Sequence, residues 1–501
     1  KARRATAQVA LVTRFASIVP NCQKRESREG EQMFLPRTVP SRAQRLVRGI
    51  ARLDIALSLL VLALAMGVAL ARPANAMKIQ TVKSPGGIEA WLVEEHSVPL
   101  VAMRFAFRGG SSQDPEGKGG VANFLSAMLD EGAGDLTSSQ FQESQEELAM
   151  RMSYSDSRDA FYGNFETLTE NRAESVKLLR LALTKPRFDA DAVERIRKQL
   201  LASLVYAERD PDKVAAKAWF ASAFPNHPYG RSASGTDESV KAITAGDLEA
   251  FRKRNFARDN LKISVVGDID AATLGKMLDE IFGDLPAKAE LSDVPQTQPI
   301  TGGLEKVIEM AVPQSVAVFG LPSIKRKDPD FMTAFVLNHI LGGGGFASQL
   351  MEEVREKRGL AYSVYSYLMP EDHASVMLGS VATKNESIAE SLSVIRDVLK
   401  HMATTGPSET ELDNAKKYLV GSYALRFDTS GKIASQLLGL QMEEFGPDYI
   451  EKRNSLIDAV TLADIKRVSA KLLDPSQLIV TVVGKPEKIS TESPAVVQGG
   501  G

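Results

Sequence analysis

The sequence predicts an α+β protein: two homologous mixed α/β domains, each a sheet flanked by helices, joined by a linker. Three observations predict it. The first is repetition. Ala173-Glu174-Ser175 returns as Ala389-Glu390-Ser391, and Gly163 as Gly379, both 216 residues on. Val265-Val266-Gly267 returns as Val482-Val483-Gly484, and Ile243-Thr244 as Val460-Thr461, both 217 residues on. Four matched elements at a near-constant offset mark one unit of about 210 residues written twice. The second is that strand-like and helix-like apolar periods alternate along each copy. The third is size and composition. The 501 residues are 44% hydrophobic and 25% charged, ordinary globular usage, and suffice for two to four domains at roughly 100–200 residues each.

Residues 1–76 carry 13 basic and 4 acidic residues, a net of +9. Residues 55–71 are 17 consecutive uncharged positions, preceded by Arg45, Arg48 and Arg52 and followed by Ala74-Asn75-Ala76. A positive region, a short apolar run and an A-x-A site describe a secretory signal peptide cleaved after Ala76. The run is shorter than the roughly 20 residues that span a bilayer, so no stable membrane span is expected after cleavage. An uncleaved anchor is the alternative. Met33 is the expected translation start. The sole cysteine, Cys22, lies in this region. The remainder then has neither a disulfide nor a Cys-based zinc site, which suits an oxidising compartment such as a bacterial periplasm. The remainder also carries a net of −11, which disfavours a nucleic-acid partner.

In the first copy, residues 77–285, VPLVAMRFAFRGG reads as a strand and KGGVANFLSAMLDEG as a short helix. RMSYSDSRDAFYGNFETL reads as a strand pair, and ENRAESVKLLRLALTKP as a helix closed by Pro186. Residues 189–208 and 244–255 read as further helices, and LKISVVGDI as a last strand. Residues 286–303 are rich in Pro, Gly and polar residues and read as a linker. The second copy, 304–486, follows the same order. The tail, 487–501, is Ser-, Pro- and Gly-rich and reads as flexible.

GKGGVANFLSAMLDEGAG, NFARDNLKISVVGDI and LMEEVREKRGLAYSVYSY occur in this order, within two copies joined by a linker. In this the chain resembles the pitrilysin/insulinase class of zinc metallopeptidases, over essentially all of 77–486. It is most similar to the shorter bacterial and mitochondrial-processing type, in which two separate chains pair. The resemblance implies antiparallel-rich sheets and one half of a clamshell dimer. That family binds zinc through H-x-x-E-H on one helix, with a further Glu downstream: two imidazoles hold the metal and the first Glu serves as general base. The corresponding positions here are Asn123, Ser126, Ala127 and, downstream, Ser203; a nearby supporting acid becomes Ile196. These side chains supply neither imidazole nor carboxylate. Among the five histidines, His96, His227, His339, His373 and His401, none is paired at i, i+4. Each reads as a loop or surface residue, with His227 in a turn. The expectation is that this chain binds no zinc.

Arg355 and Tyr362, in REKRGLAY, match a pair that the family uses to hold substrate. Arg355 is expected near the end of a helix that Gly359 terminates. Tyr362 is expected to begin a strand that alternates through Val364, Ser366 and Leu368. Arg and Tyr both donate hydrogen bonds, and together suit a peptide carbonyl and the oxyanion formed from it. The bland alternative is a solvated Arg355 paired with Glu352 and a core tyrosine. Gly343 and Gly344, within Gly342-Gly343-Gly344-Gly345, read either as a tight helix–helix turn or as a flexible loop that touches substrate. The resemblance therefore implies a non-catalytic, substrate-binding subunit. Its homologous partner would carry H-x-x-E-H, the zinc and the base, and the substrate would be a peptide added as a strand at a sheet edge. The alternatives are a structural assembly protein of the same fold, and an autonomous peptidase with unusual ligands.

Overall fold

The computed structural model describes residues 77–487; the expected signal segment and the tail beyond lie outside them. Strands β1 (Gln80–Lys83), β2 (Glu89–Glu94), β3 (Leu100–Arg108), β4 (Arg151–Asp156), β5 (Ala160–Leu168) and β6 (Leu261–Gly267) form one sheet. Their spatial order is β1-β2-β6-β3-β5-β4. Strands β7 (Glu305–Glu309), β8 (Gln314–Pro322), β9 (Ala361–Pro370), β10 (Ser375–Lys384) and β11 (Ile479–Gly484) form the other, in the order β7-β11-β8-β10-β9. Leaving out β1, the two orders correspond strand for strand. In each sheet the sole parallel pair occupies the same place, β2 with β6 and β7 with β11. The duplication read from the sequence is thus a duplication of topology.

The repeated glycines show why the repeat persists. Gly163 stands opposite Phe105, and Gly379 opposite Phe319. A Cβ on Gly163 would lie 2.0 Å from the Phe105 ring, and one on Gly379 would lie 2.3 Å from the Phe319 ring. Each phenylalanine lies across a strand that has no side chain there, so only glycine fits. The repeated Thr244 and Thr461 both cap helices, accepting from the N–H of Asp247 and Asp464. Each is a reciprocal capping box.

One face of each sheet is covered by its own domain's helices. Phe105, Phe107, Phe161 and Phe165 pack with Phe124, Leu179 and Leu278 in the first core. Phe319, Met377 and Val381 pack with Ile395 and Val468 in the second. The opposite faces are sealed reciprocally. The Pro211–Ala223 helix belongs to the first copy but lies on the second sheet. Trp219, fully buried, packs with Val316, Val318, Leu378 and Ile479, and its Nε1–H donates to the Ile479 carbonyl at 3.1 Å. The Ser430–Met442 helix of the second copy lies on the first sheet. There Ala434 and Leu437 pack with Trp91, Val93 and Val266. Ser264 Oγ donates to the Ala434 carbonyl at 2.6 Å, and Gln441 Nε2 to that of Ile263 at 2.8 Å. Each copy therefore covers the apolar face that the other leaves open.

Residues 286–303 hold no helix or strand, as the composition predicts, yet they form a strap and not a loose spacer. Ser292 exchanges two hydrogen bonds with the Gln113 side chain, Val294 is buried, and Thr297 N–H donates to the His373 carbonyl. Backbone polar groups held along their length leave the segment little freedom. No helix among the described residues is long and apolar enough to cross a membrane.

Candidate functional site

The helix at the metal-site position is short, Val121–Ser126. Its start is held by Asp114, whose carboxylate accepts the N–H groups of Gly120 at 2.7 Å and Ala122 at 3.0 Å. Burial pushes the Asp114 carboxyl up to about 7, against the opposing pull of these two bonds and of Arg231. Asn123 Nδ2 donates to Asp156 Oδ1 at 3.1 Å, and Ser126 Oγ donates to the carbonyl of Asn123 at 2.8 Å. Ala127 ends the helix and Ser203 is exposed on the Ala190–Ala207 helix. Ile196 is packed into the first core. The groups are thus an amide and a hydroxyl already committed to protein acceptors, a methyl, and a solvent-facing hydroxyl. This set does not fit zinc, which takes imidazole, thiolate or carboxylate. Among the described residues no group of three or more His, Cys, Asp or Glu side chains gathers to hold a metal ion. Of the histidines, His227 sits in its predicted turn but is buried: its ring accepts from Tyr229 N–H and lies 3.0 Å from the Pro295 carbonyl.

Arg355 and Tyr362 do come together. Arg355 lies on a widened helical turn, Met351–Glu356, and Gly359 follows with φ +63°. The Arg355 guanidinium stands 4.8 Å from the Tyr362 ring centre and 4.6 Å from that of Phe346. Glu352 pairs with Lys357 instead; the acid nearest Arg355 is Glu356, at 3.5 Å. Tyr362 is 83% exposed and not in the core. The expected alternation put it on the face of Val364 and Ser366, which are buried. A β-bulge accounts for the difference. Ala382 pairs with Ser363 and Thr383 with Ala361, so Tyr362 has no opposite residue and is turned outward. An open cavity of about 470 Å³ adjoins the pair, bordered by Gln314, Leu360, Thr383 and Lys384.

Within the glycine run only Gly345 has a positive φ, at +58°. Gly342 is needed for close approach, since its Cβ would lie 2.4 Å from Ser366 Oγ. Cβ atoms on Gly343 and Gly344 would meet Asn338 at 3.0 Å and the His339 carbonyl at 2.8 Å. The run ends at Phe346, 69% exposed, which the sequence reading did not single out. Nor did it single out Tyr365 and Tyr367, exposed on β9 with ring centres 6.2 Å apart. Strand β9 is the outer strand of its sheet. Tyr-x-Tyr in a period-2 strand was the available signal.

Two interlocked, duplicated domains, with a ligand-stripped helix in one and an Arg/Tyr pair in the other, define a peptidase-like scaffold without the metal chemistry. The comparisons place it. The profile described as insulinase (peptidase family M16) matches residues 91–237, and that described as peptidase M16 inactive domain matches 242–419. A non-peptidase homolog from Helicobacter pylori is 30% identical over 74% of this chain and 85% of its own length. An uncharacterized zinc protease of Mycobacterium leprae is 27% identical over 78% and 88%. The crystal structure of a peptidase M16 inactive domain from Pseudomonas fluorescens superposes with a TM-score of 0.77 at 29% identity, covering 83% of this chain and 100% of that one. The chain belongs to the M16 insulinase family, as a member that lacks the family's catalytic set.

Proposed function

We propose that this protein is the non-catalytic, substrate-binding subunit of a heterodimeric zinc metallopeptidase of the bacterial periplasm. A homologous partner supplies the H-x-x-E-H helix with its zinc and base. This chain supplies Arg355 and Tyr362 as donors to a peptide carbonyl. The observation that carries the reading is the bulge, which turns the Tyr362 hydroxyl outward beside Arg355, over an open cavity. A Tyr held for packing would face inward, and an Arg held for stability would face an acid squarely. Substrate lies along β9, whose outer backbone edge offers the hydrogen bonds of an added strand. Gly343 and Gly344 shape the loop that carries Phe346 to Arg355.

The experiment is co-expression with a sibling chain that carries the missing ligands, followed by a peptide-cleavage assay. The complex cleaves, and Arg355→Ala in this chain lowers kcat/KM by roughly ten- to a hundredfold, as expected for one charged donor. Full activity of the partner alone, or an Arg355→Ala complex as active as wild type, overturns the proposal. The second reading, a structural assembly protein, draws support from the relative that is named a non-peptidase homolog. It predicts a stable complex with no effect of Arg355 on any cleavage.

A further inference from the structure

The two domains meet where homologous hairpin turns face each other: the β4–β5 turn of the first and the β9–β10 turn of the second. Asp159, in the first turn, accepts two hydrogen bonds on Oδ2. One comes from the Tyr229 hydroxyl at 2.6 Å, the other from the backbone N–H of Asp372, in the second turn, at 2.9 Å. The His373 N–H donates to the same Tyr229 oxygen at 2.9 Å. Asp159 Oδ1 is buried and has no partner among the described residues. The Glu371 carboxyl, 20% exposed, neighbours Asp159 and lies 3.7 Å from Arg158. Two carboxyl groups thus meet across the domain boundary, and one buried carboxylate oxygen lacks a donor.

The surrounding charges do not neutralise both. On the first domain's side, Arg158 is the cation facing Glu371, but only at 3.7 Å, with its guanidinium 3.7 Å above the Phe220 ring. Tyr162 also faces it, and His227 adjoins Asp159. Arg108 is committed to Asp372 at 2.8 Å and to the Met442 carbonyl at 2.6 Å. On the second domain's side stand Asp372, Tyr367 and His373. Beyond them Lys325, Arg326 and Lys327 share the rim with Glu443 and Glu444.

We propose that Glu371 carries a proton and donates it in a hydrogen bond to Asp159, and that this bond latches the two homologous turns, and so the two domains, together. The protonated Glu371 donates to Asp159 Oδ1. Losing the proton places two carboxylates side by side in a largely buried site, and the joint loosens. Burial and the neighbouring Asp159 push the Glu371 carboxyl up to about 7 from an ordinary 4.5. The folded chain therefore holds this proton where the unfolded chain has released it. Stability from this group is full at and below pH 4.5 and falls as pH rises to about 7.

The test is hydrogen exchange on the whole chain at about pH 6 and about pH 8, corrected for intrinsic exchange, reading the turns at 157–160 and 371–374. In the wild type, protection of both turns falls by about fivefold or more at the higher pH. Glu371→Gln, which keeps a donor and cannot ionise, holds protection constant between the two pH values. Infrared spectroscopy of the wild type at about pH 6 shows a protonated carboxyl band that Glu371→Gln weakens, leaving the share of Asp114. If that variant does not fold, Asp159→Asn serves in its place, with a smaller loss of protection between the two pH values expected, since Glu371 no longer ionises beside a second carboxylate. A wild type with no pH-dependent loss of protection, or a variant with the same loss, overturns the latch.

Discussion

Replacing Trp219 by alanine tests the interlocking of the two domains. Trp219 belongs to the first copy, yet it is fully buried on the second sheet. A buried indole covers roughly 150–250 Å², which at about 25 cal/mol per Å² corresponds to ~4–6 kcal/mol. Aromatic truncations to alanine in well-packed cores cost about 3–5 kcal/mol. Loss of the bond to the Ile479 carbonyl adds about 1 kcal/mol. The cost is thus roughly 4–6 kcal/mol. At about 2.1 cal/mol/K of unfolding entropy per residue, a body of this size loses about 1 °C of Tm per kcal/mol, so Tm falls by about 5 °C. Calorimetry with denaturant titration is the assay, and Tyr206→Ala, at a 71% exposed position, is the control, expected within about 0.5 kcal/mol. Reciprocal sealing predicts a single transition for the wild type. A loss below about 1.5 kcal/mol, or a second domain that melts unaltered while the first weakens, would refute reciprocal sealing.

Gly163→Ala and Gly379→Ala each push a Cβ into a phenylalanine ring and should each cost about 1–3 kcal/mol by denaturant unfolding; a neutral effect at either site would contradict the equivalence of the two positions. Asp114 ionises only with difficulty where burial holds it at about 7. The folded chain keeps a proton that the unfolded chain has lost above about 4, so stability from this group falls as pH rises between those values. Asp114→Asn should flatten that part of the pH–stability curve, and an unchanged slope would show that Asp114 does not titrate there. Metal analysis of the purified chain should find less than about one tenth of an equivalent of zinc; a stoichiometric amount would mean that ligands other than Asn123, Ser126, Ala127 and Ser203 had been missed.

The longer strands, their duplication and several flanking helices were legible because they rest on local signals: period-2 runs, Thr caps, and glycines repeated at one spacing. Strands β1, β2 and β7 and the Ser138–Glu147 and Ala271–Phe282 helices were not read. The Pro211–Ala223 helix was missed although its own start is plainly written, with Asp210 capping and Pro211 in the first turn. Its role was hidden for another reason. Its apolar face is complementary to a sheet that begins about 80 residues later, and periodicity reports that a face is buried, never against what. The strap at 286–303 failed similarly, since its composition describes a spacer while its bonds to Gln113 and His373 are tertiary. Tyr362 was found but placed on the wrong face, because a single bulged residue inverts the alternation and leaves no mark in composition. Phe346 escaped notice because a single exposed aromatic after a glycine run leaves no periodic signal, while Gly342, Gly343 and Gly344 pack closely against Ser366, Asn338 and His339.

The proposed function requires a chain that holds peptides and leaves them whole. Titrating the purified protein into a labelled unfolded peptide, with anisotropy for binding and mass spectrometry for products, tests this directly. The account predicts saturable binding, intact peptide after prolonged incubation, and roughly tenfold or greater weakening in an Arg355→Ala, Tyr362→Ala double variant. Cleaved peptide, or a double variant that binds as tightly as wild type, would contradict it.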